Sequence, residues 1–350
     1  MGRENLKAPF PWFGGKSRVA AEVWSAIGDP DNYVEPFAGS LAVLLLRPAW
    51  HRGSVETAND ADSYLCNFWR AVTADPERVA ELCDSPVNET DLFARHLWLV
   101  NEGKKRIEQM ESDPDFYDAK VAAWWAWGLN QWIGSGWCAG NGPHRQLPHL
   151  GNAGQGVNRK RPHLGNAGQG VNRQLPHLGN RGADHPGKTD SLDVLQDYFA
   201  ALAARLRRVR VCCGDWSRVI TDGALACGAS VGVFLDPPYQ GDVRTRDLYR
   251  VDDHHISDAV REWALANGDN PRYRIVLAGY WSEHCEHMPA SWRCARYSAN
   301  KAYGTASAVG SGAGNDANRH NEALWYSPGC EIDGGQQTMT FLEEPEQGGQ

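Results

Sequence analysis

The apolar run Val231-Gly232-Val233-Phe234-Leu235 ends abruptly at Asp236-Pro237-Pro238-Tyr239. Apolar and partly β-branched residues with no polar alternation suit a strand buried on both faces. Neither proline can continue a sheet ladder, and the first also holds Asp236 out of the helical region. The expected product is a stiff turn at a strand end, presenting a carboxylate, an unpaired backbone carbonyl and an aromatic ring. In open α/β sheets, ligands bind along that edge.

Those groups suit one chemical problem. The exocyclic amino group of a nucleobase is a poor nucleophile, because its lone pair is delocalised into the ring. Two acceptors, the Asp236 carboxylate and the Pro237 carbonyl, would hold both N–H bonds and favour a pyramidal nitrogen. Pro238 stiffens the turn, and Tyr239 would stack on a base taken out of the duplex. An ordinary Asp-Pro turn is the competing reading, so the partners of the motif have to decide.

The rest of the chain reads as strands and helices in alternation. Near the start, Pro9-Phe10-Pro11-Trp12-Phe13-Gly14-Gly15-Lys16-Ser17 is turn-rich and leads into a helical pattern from Val19 to Trp24. The glycine pair lets backbone approach a ligand closely, and Lys16 sits where it would meet a carboxylate or phosphate. Tyr33-Val34-Glu35-Pro36-Phe37-Ala38-Gly39-Ser40 reads as a strand, a glycine turn and then a helix through Leu46, the nucleotide-binding plan of Rossmann-like folds. Val55-Glu56-Thr57-Ala58-Asn59-Asp60 reads as a second strand ending in an acid. Asp60 would bind ribose hydroxyls or cap a helix starting near Ala61.

A long amphipathic helix runs from Ser191 to Arg208 and feeds the strand Val209–Cys213, followed by Gly214-Asp215-Trp216. An acid and an indole there suit an adenine ring, with helix N-capping a parallel role for Asp215. Helix 254–267 and strands at 273–279, 292–299 and 322–327 complete the expected sheet. Gly304 to Asn318 is low in apolar residues, and the Gly/Gln/Glu-rich stretch 331–350 reads as a disordered tail.

Between these halves lies a different composition. Residues 75–133 are helical in pattern, with apolar stripes over Glu89–Glu111 and Asp115–Trp132. Trp124, Trp125, Trp127 and Trp132 load the second stripe, which reads as core. Then Pro-His-Leu-Gly-Asn recurs at 148, 162 and 176, a fourteen-residue period too Gly-rich for a helix. From Gly140 to Asp190, seven Lys/Arg stand against two Asp, so this stretch carries +5 while the remainder carries −13 of the total −8. Arg145, Arg159, Lys160, Arg161 and Arg173 are candidates for phosphate and base-edge contacts, against the alternative of a passive Gly loop. Arg244 and Arg246, in the polar stretch after Tyr239, would add phosphate contacts from a closing loop.

Bulk properties narrow the class further. The net charge of −8 argues against a generally basic nucleic-acid coat and leaves room for a local basic face. Nine Cys without CxxC pairs, two of them adjacent inside the strand at 212–213, read as reduced, buried thiols of a cytoplasmic protein. His284-Cys285-Glu286-His287 resembles half a metal site but has no second half, so it reads as surface polarity and no metal is expected. No run approaches the ~20 apolar residues of a membrane span, and no membrane partner is expected.

Taken as a set, Trp12-Phe13-Gly14-Gly15-Lys16, Val34-Glu35-Pro36-Phe37-Ala38-Gly39-Ser40, Asn59-Asp60 and Asp236-Pro237-Pro238-Tyr239 resemble the Dam-type adenine-N6 DNA methyltransferases in order and spacing. The resemblance covers residues 9–72 and 191–330. It implies an α/β, Rossmann-like methyltransferase sheet with an inserted helical and loop-rich target-recognition region. The core would comprise residues 1–74 and 191–330, and the insertion 75–190. It implies S-adenosylmethionine as cofactor, bound by Trp12, Gly15, Lys16, Glu35, Phe37, Gly39, Asp60, Asp215, Trp216 and Asp236. The catalytic set would be Asp236, Pro237, Pro238 and Tyr239, and the substrate double-stranded DNA, with the protein a monomer or weak dimer. One departure is visible: that family often has a second glycine two residues after Gly39, where Leu41 stands here, so the turn is expected to differ. Methylation of cytosine N4, methylation of RNA, and a catalytically silent DNA-binding protein are the alternatives; Asp rather than Ser at 236 leans towards adenine.

Overall fold

The computed structural model describes residues 6–12, 15–48, 53–113, 115–132, 137–138, 191–238, 256–297 and 322–331. Its strands are β1 (Asn32–Glu35), β2 (Val55–Asp60), β3 (Val209–Cys213), β4 (Val231–Leu235), β5 (Tyr273–Tyr280), β6 (Arg293–Tyr297) and β7 (Glu322–Tyr326). They form one sheet in the order β3-β2-β1-β4-β5-β7-β6, in which β7 runs antiparallel to both neighbours and the other pairs are parallel. The chain moves outward from β1 through β2 to β3, then returns to β4 on the other side of β1. The β1–β4 boundary is therefore the topological switch point, where open α/β sheets bind ligands at the carboxyl ends of the strands.

The first helices are α1 (Ala20–Ile27), α2 (Ala42–Leu45), α3 (Ser63–Ala74), α4 (Pro76–Cys83) and α5 (Glu89–Trp98). After them come α6 (Lys104–Ile107), α7 (Ala119–Gln131), α8 (Ser191–Leu206), α9 (Asp222–Leu225), α10 (Ile256–Asn267) and α11 (Trp281–His284). The stripe from Glu89 to Glu111 is not one regular helix: a π-helical turn at Leu99–Gly103 and a 3₁₀ turn at Glu108–Glu111 interrupt it. Helix α3 starts at Ser63 because Asp62 caps it, accepting from the Tyr64 N–H at 2.8 Å; Asp60 is not the cap.

The continuous apolar strands divide their side chains between two layers. Phe234 of β4 and Val276 and Ala278 of β5 face one core with α1, α3, α7 and α8. Val231, Val233, Leu235, Ile275 and Leu277 face the other, against Val260 and Ala264 of α10. The tryptophans of α7 belong to the first core. Trp125 and Trp127 are buried, and Phe10, Phe68 and Trp69 lie edge-on or tilted against Trp125 or one another.

Two readings of polar residues need correction. No disulfide joins any of the nine cysteines, and Cys213, Cys227 and Cys294 are exposed rather than buried. Strand β3 lies at the sheet edge, and an edge strand has less cover. His284 is fully buried, edge-on to Trp325 at 5.1 Å, and is not part of a polar surface. Burial lowers its pKa to about 4, with the nearby Arg261 acting in the same direction. Among the described residues no helix is long and apolar enough to cross a membrane, and no cluster of three metal-ligating side chains occurs.

Candidate active site

The site forms at the carboxyl ends of β1, β2, β3 and β4. Strand β4 delivers Asp236 to the switch point; Pro237 is buried, and Asp236 and Pro238 are partly exposed. From the other side, the loop before α1 brings in Lys16. Its Nζ lies 2.9 Å from Asp236 Oδ1, with side-chain exposures of 4% and 19%. So buried an ammonium needs an anionic partner, and Asp236 supplies one. The loop is held locally, the Gly15 N–H donating to the Trp12 carbonyl at 3.0 Å and the Val19 N–H to that of Lys16 at 3.1 Å.

Glu35 ends β1 beside them and is buried. Burial raises its carboxyl pKa well above the usual range, and the neighbouring Asp236 charge adds to the effect. Among the described residues its Oε2 has no hydrogen-bond partner. A buried acceptor of this kind fits a ligand donor or cation.

The turn after β1 is built on two left-handed residues. Gly39 has φ +47°, and a Cβ there would stand 2.4 Å from Trp12 Nε1, so the indole of Trp12 occupies the space glycine leaves. Trp12 in turn packs against Phe10 and Trp125, which makes it the backing of the glycine turn. Leu41 has φ 59° and ψ 24°, the conformation a second glycine would adopt. A fully buried leucine holds this left-handed geometry.

Asp60 closes the turn from below. Its Oδ2 accepts the Gly39 N–H at 3.0 Å and its Oδ1 the Asp62 N–H at 2.9 Å. Burial raises its pKa to about 6, partly offset by these N–H donors. Beyond β3, Asp215 is exposed and caps the 3₁₀ turn Trp216–Val219 by accepting from the backbone N–H and the hydroxyl of Ser217. Trp216 stacks on Phe37 at 6.0 Å between centroids and 28° between planes, so two half-buried aromatics from the β1 and β3 loops meet above the sheet edge.

Trp12, Gly15, Lys16, Glu35, Phe37, Gly39, Asp60, Asp215, Trp216, Asp236, Pro237 and Pro238 thus gather at one sheet edge. Tyr239 and all seven DNA-contact candidates, Arg145, Arg159, Lys160, Arg161, Arg173, Arg244 and Arg246, lie outside the described residues. Sequence reasoning gave Asn59 no role of its own. Its Nδ2 donates to the carbonyls of Pro36 and Gly214, both at 3.0 Å. The signal available was an amide next to the acid at a strand end, and its partners are visible only in the fold.

With this geometry in hand, the comparison with known families is specific. Residues 12–123 match the family described as D12 class N6 adenine-specific DNA methyltransferase, consistent with the Dam-type resemblance. The matched span contains Trp12, Lys16, Glu35, Gly39 and Asp60 and stops before Asp236. No curated protein matches the chain.

Proposed function

We propose that this chain methylates N6 of adenine in double-stranded DNA, using S-adenosylmethionine. The observation that carries the reading is the meeting of Asp236, followed by Pro237, with Glu35 and buried Lys16 at the switch point of the sheet. The family match over residues 12–123 supports DNA methylation as the reaction class.

The residues present fit the cofactor. Glu35 Oε2, without a partner among the described residues, suits an ammonium, the Asp60 carboxylate suits ribose hydroxyls, and Phe37 with Trp216 suits an adenine ring. S-adenosylmethionine, when bound, supplies a methyl group carried on a sulfonium.

The chain's own residues then have distinct tasks. Asp236 and the Pro237 carbonyl accept the two N–H bonds of the adenine amino group and turn its lone pair out of the ring plane. A carboxylate offers about four acceptor sites, so Asp236 can keep Lys16 and also accept from the amino N–H. Lys16 thereby fixes Asp236 in orientation before the base arrives. Asp236 does not need to be a strong base, because the amino proton becomes acidic only when the nitrogen is methylated. Tyr239 stacks on the flipped base, and the basic repeats between 140 and 190 contact DNA phosphates as the target-recognition region.

The test is transfer of tritiated methyl from S-adenosylmethionine to double-stranded DNA, followed by nucleoside analysis. Label in N6-methyladenine is expected. Label in N4-methylcytosine would overturn the substrate, and no label in DNA would overturn the activity.

A further inference from the structure

The proposed cofactor cleft is bounded by loops from strands that do not touch each other. Strand β2 separates β1 from β3. The loops nevertheless meet, and the residue between them is Asn59 at the end of β2. Its side-chain amide donates one N–H to the Pro36 carbonyl at 3.0 Å and the other to the Gly214 carbonyl at 3.0 Å. Its own carbonyl accepts the Ala38 N–H at 2.9 Å. Next to it, the Asp60 carbonyl accepts the Gly214 N–H at 2.9 Å.

The orientation of the amide is not ambiguous. A flipped amide would set Oδ1 against two carbonyl oxygens, so the network itself requires Nδ2 between them. The residue is 2% exposed, and among the described residues Oδ1 has no partner. What the amide does is set by its two donors, each on the carbonyl of a different loop. Pro36 precedes Phe37, and Gly214 stands two residues before Trp216. The bridge therefore governs the separation of the Phe37–Trp216 pair.

We infer that Asn59 is a positioning residue, whose two amide donors hold the β1 and β3 loops, and with them the Phe37–Trp216 pair, in the arrangement that binds the adenine ring of the cofactor. The inference rests on the S-adenosylmethionine reading given above. An aspartate at this position would be isosteric, yet it would present acceptors to two carbonyls. Alanine would merely remove the bridge, and serine would restore one donor.

The experiment measures S-adenosylmethionine binding by calorimetry, and KM and kcat for methyl transfer, in the parent, Asn59→Ala, Asn59→Ser and Asn59→Asp. A ~10-fold or larger rise in Kd and KM is expected for Asn59→Ala, with kcat within about threefold of the parent. Asn59→Asp should bind more weakly than Asn59→Ala, and Asn59→Ser more tightly. A fall in kcat with unchanged KM, or equal affinity in all four proteins, would overturn the positioning role. If Asn59→Ala is recovered unfolded, the comparison of Asn59→Ser with the parent decides on the same criteria. Failure of the parent itself to bind S-adenosylmethionine would instead refute the cofactor reading.

Discussion

Replacing Asp60 by asparagine keeps the size of the side chain and removes its charge, while its NH2 must also face one of the two N–H groups the carboxylate accepts, so melting is measured beside affinity. Asp60 accepts N–H bonds from Gly39 and Asp62 at 3.0 and 2.9 Å, and its pKa stands at about 6. Hydrogen bonds to a charged group contribute about 1.5–3 kcal/mol, against about 0.5–1.5 for neutral pairs. Losing one charged bond to a ribose hydroxyl should therefore weaken S-adenosylmethionine binding about 10- to 100-fold. The pH dependence provides a second, independent signature. A raised pKa means that the folded protein without ligand already holds a proton on Asp60 at pH values where a free carboxyl does not. If hydroxyl donors favour the ionised form, ligand binding lowers this pKa and releases a proton. Affinity should then rise with pH through about 6 and fall roughly tenfold per unit below it. Calorimetry between pH 5 and 7 in two buffers of different ionisation enthalpy counts that proton. In Asp60→Asn both the proton release and the slope should vanish. A flat parental profile, or parental affinity in Asp60→Asn, would refute the ribose assignment.

Other perturbations have equally definite outcomes. Lys16→Met leaves the carboxylates of Asp236 and Glu35 together without the buried ammonium, so thermal unfolding should report a loss of about 3–5 kcal/mol and methyl transfer should fall at least ~10-fold. At position 41 the usual order of alanine over glycine should reverse: both variants lose a buried leucine, but only glycine escapes the cost of left-handed backbone, so Leu41→Gly should melt no lower than Leu41→Ala. Deleting residues 153–180 removes Arg159, Lys160, Arg161 and Arg173. The slope of log affinity for DNA against log salt should flatten by roughly one unit per lost phosphate contact, while S-adenosylmethionine binding stays unchanged; an unaltered slope would make the repeats a passive insertion.

Much of the fold was readable from periodicity and punctuation. The apolar runs of β4 and β5 demand burial on both faces, and Asp236-Pro237 and Glu35-Pro36 each stop a strand with an acid at its end. Strand order was not readable, which is why Cys213 was expected inside and lies exposed on the edge strand β3. Leu41 shows the limit of backbone propensity. Backbone propensity opposes φ 59° for leucine, yet complete burial of its side chain outweighs that preference. His284 looked polar because its neighbours Cys285, Glu286 and His287 are polar or weakly so. Gly279 leaves room for its ring, a Cβ there standing 2.4 Å from Nε2. Asn59 was silent because its partners lie 23 and 155 residues away, a distance only the assembled sheet closes.

The central claim is that Asp236 orients an adenine amino group for methylation, and a single-turnover measurement tests it most directly. Parent and Asp236→Ala would each be saturated with S-adenosylmethionine and mixed with double-stranded DNA, with N6-methyladenine followed over time. Asp236→Ala takes the carboxylate from the buried Lys16 ammonium, so it should melt lower than the parent, and the rates are compared below that transition with the cofactor saturating. Loss of one hydrogen bond formed in the transition state should slow methyl transfer by about 10²–10³. Parental single-turnover rates in Asp236→Ala would contradict the account.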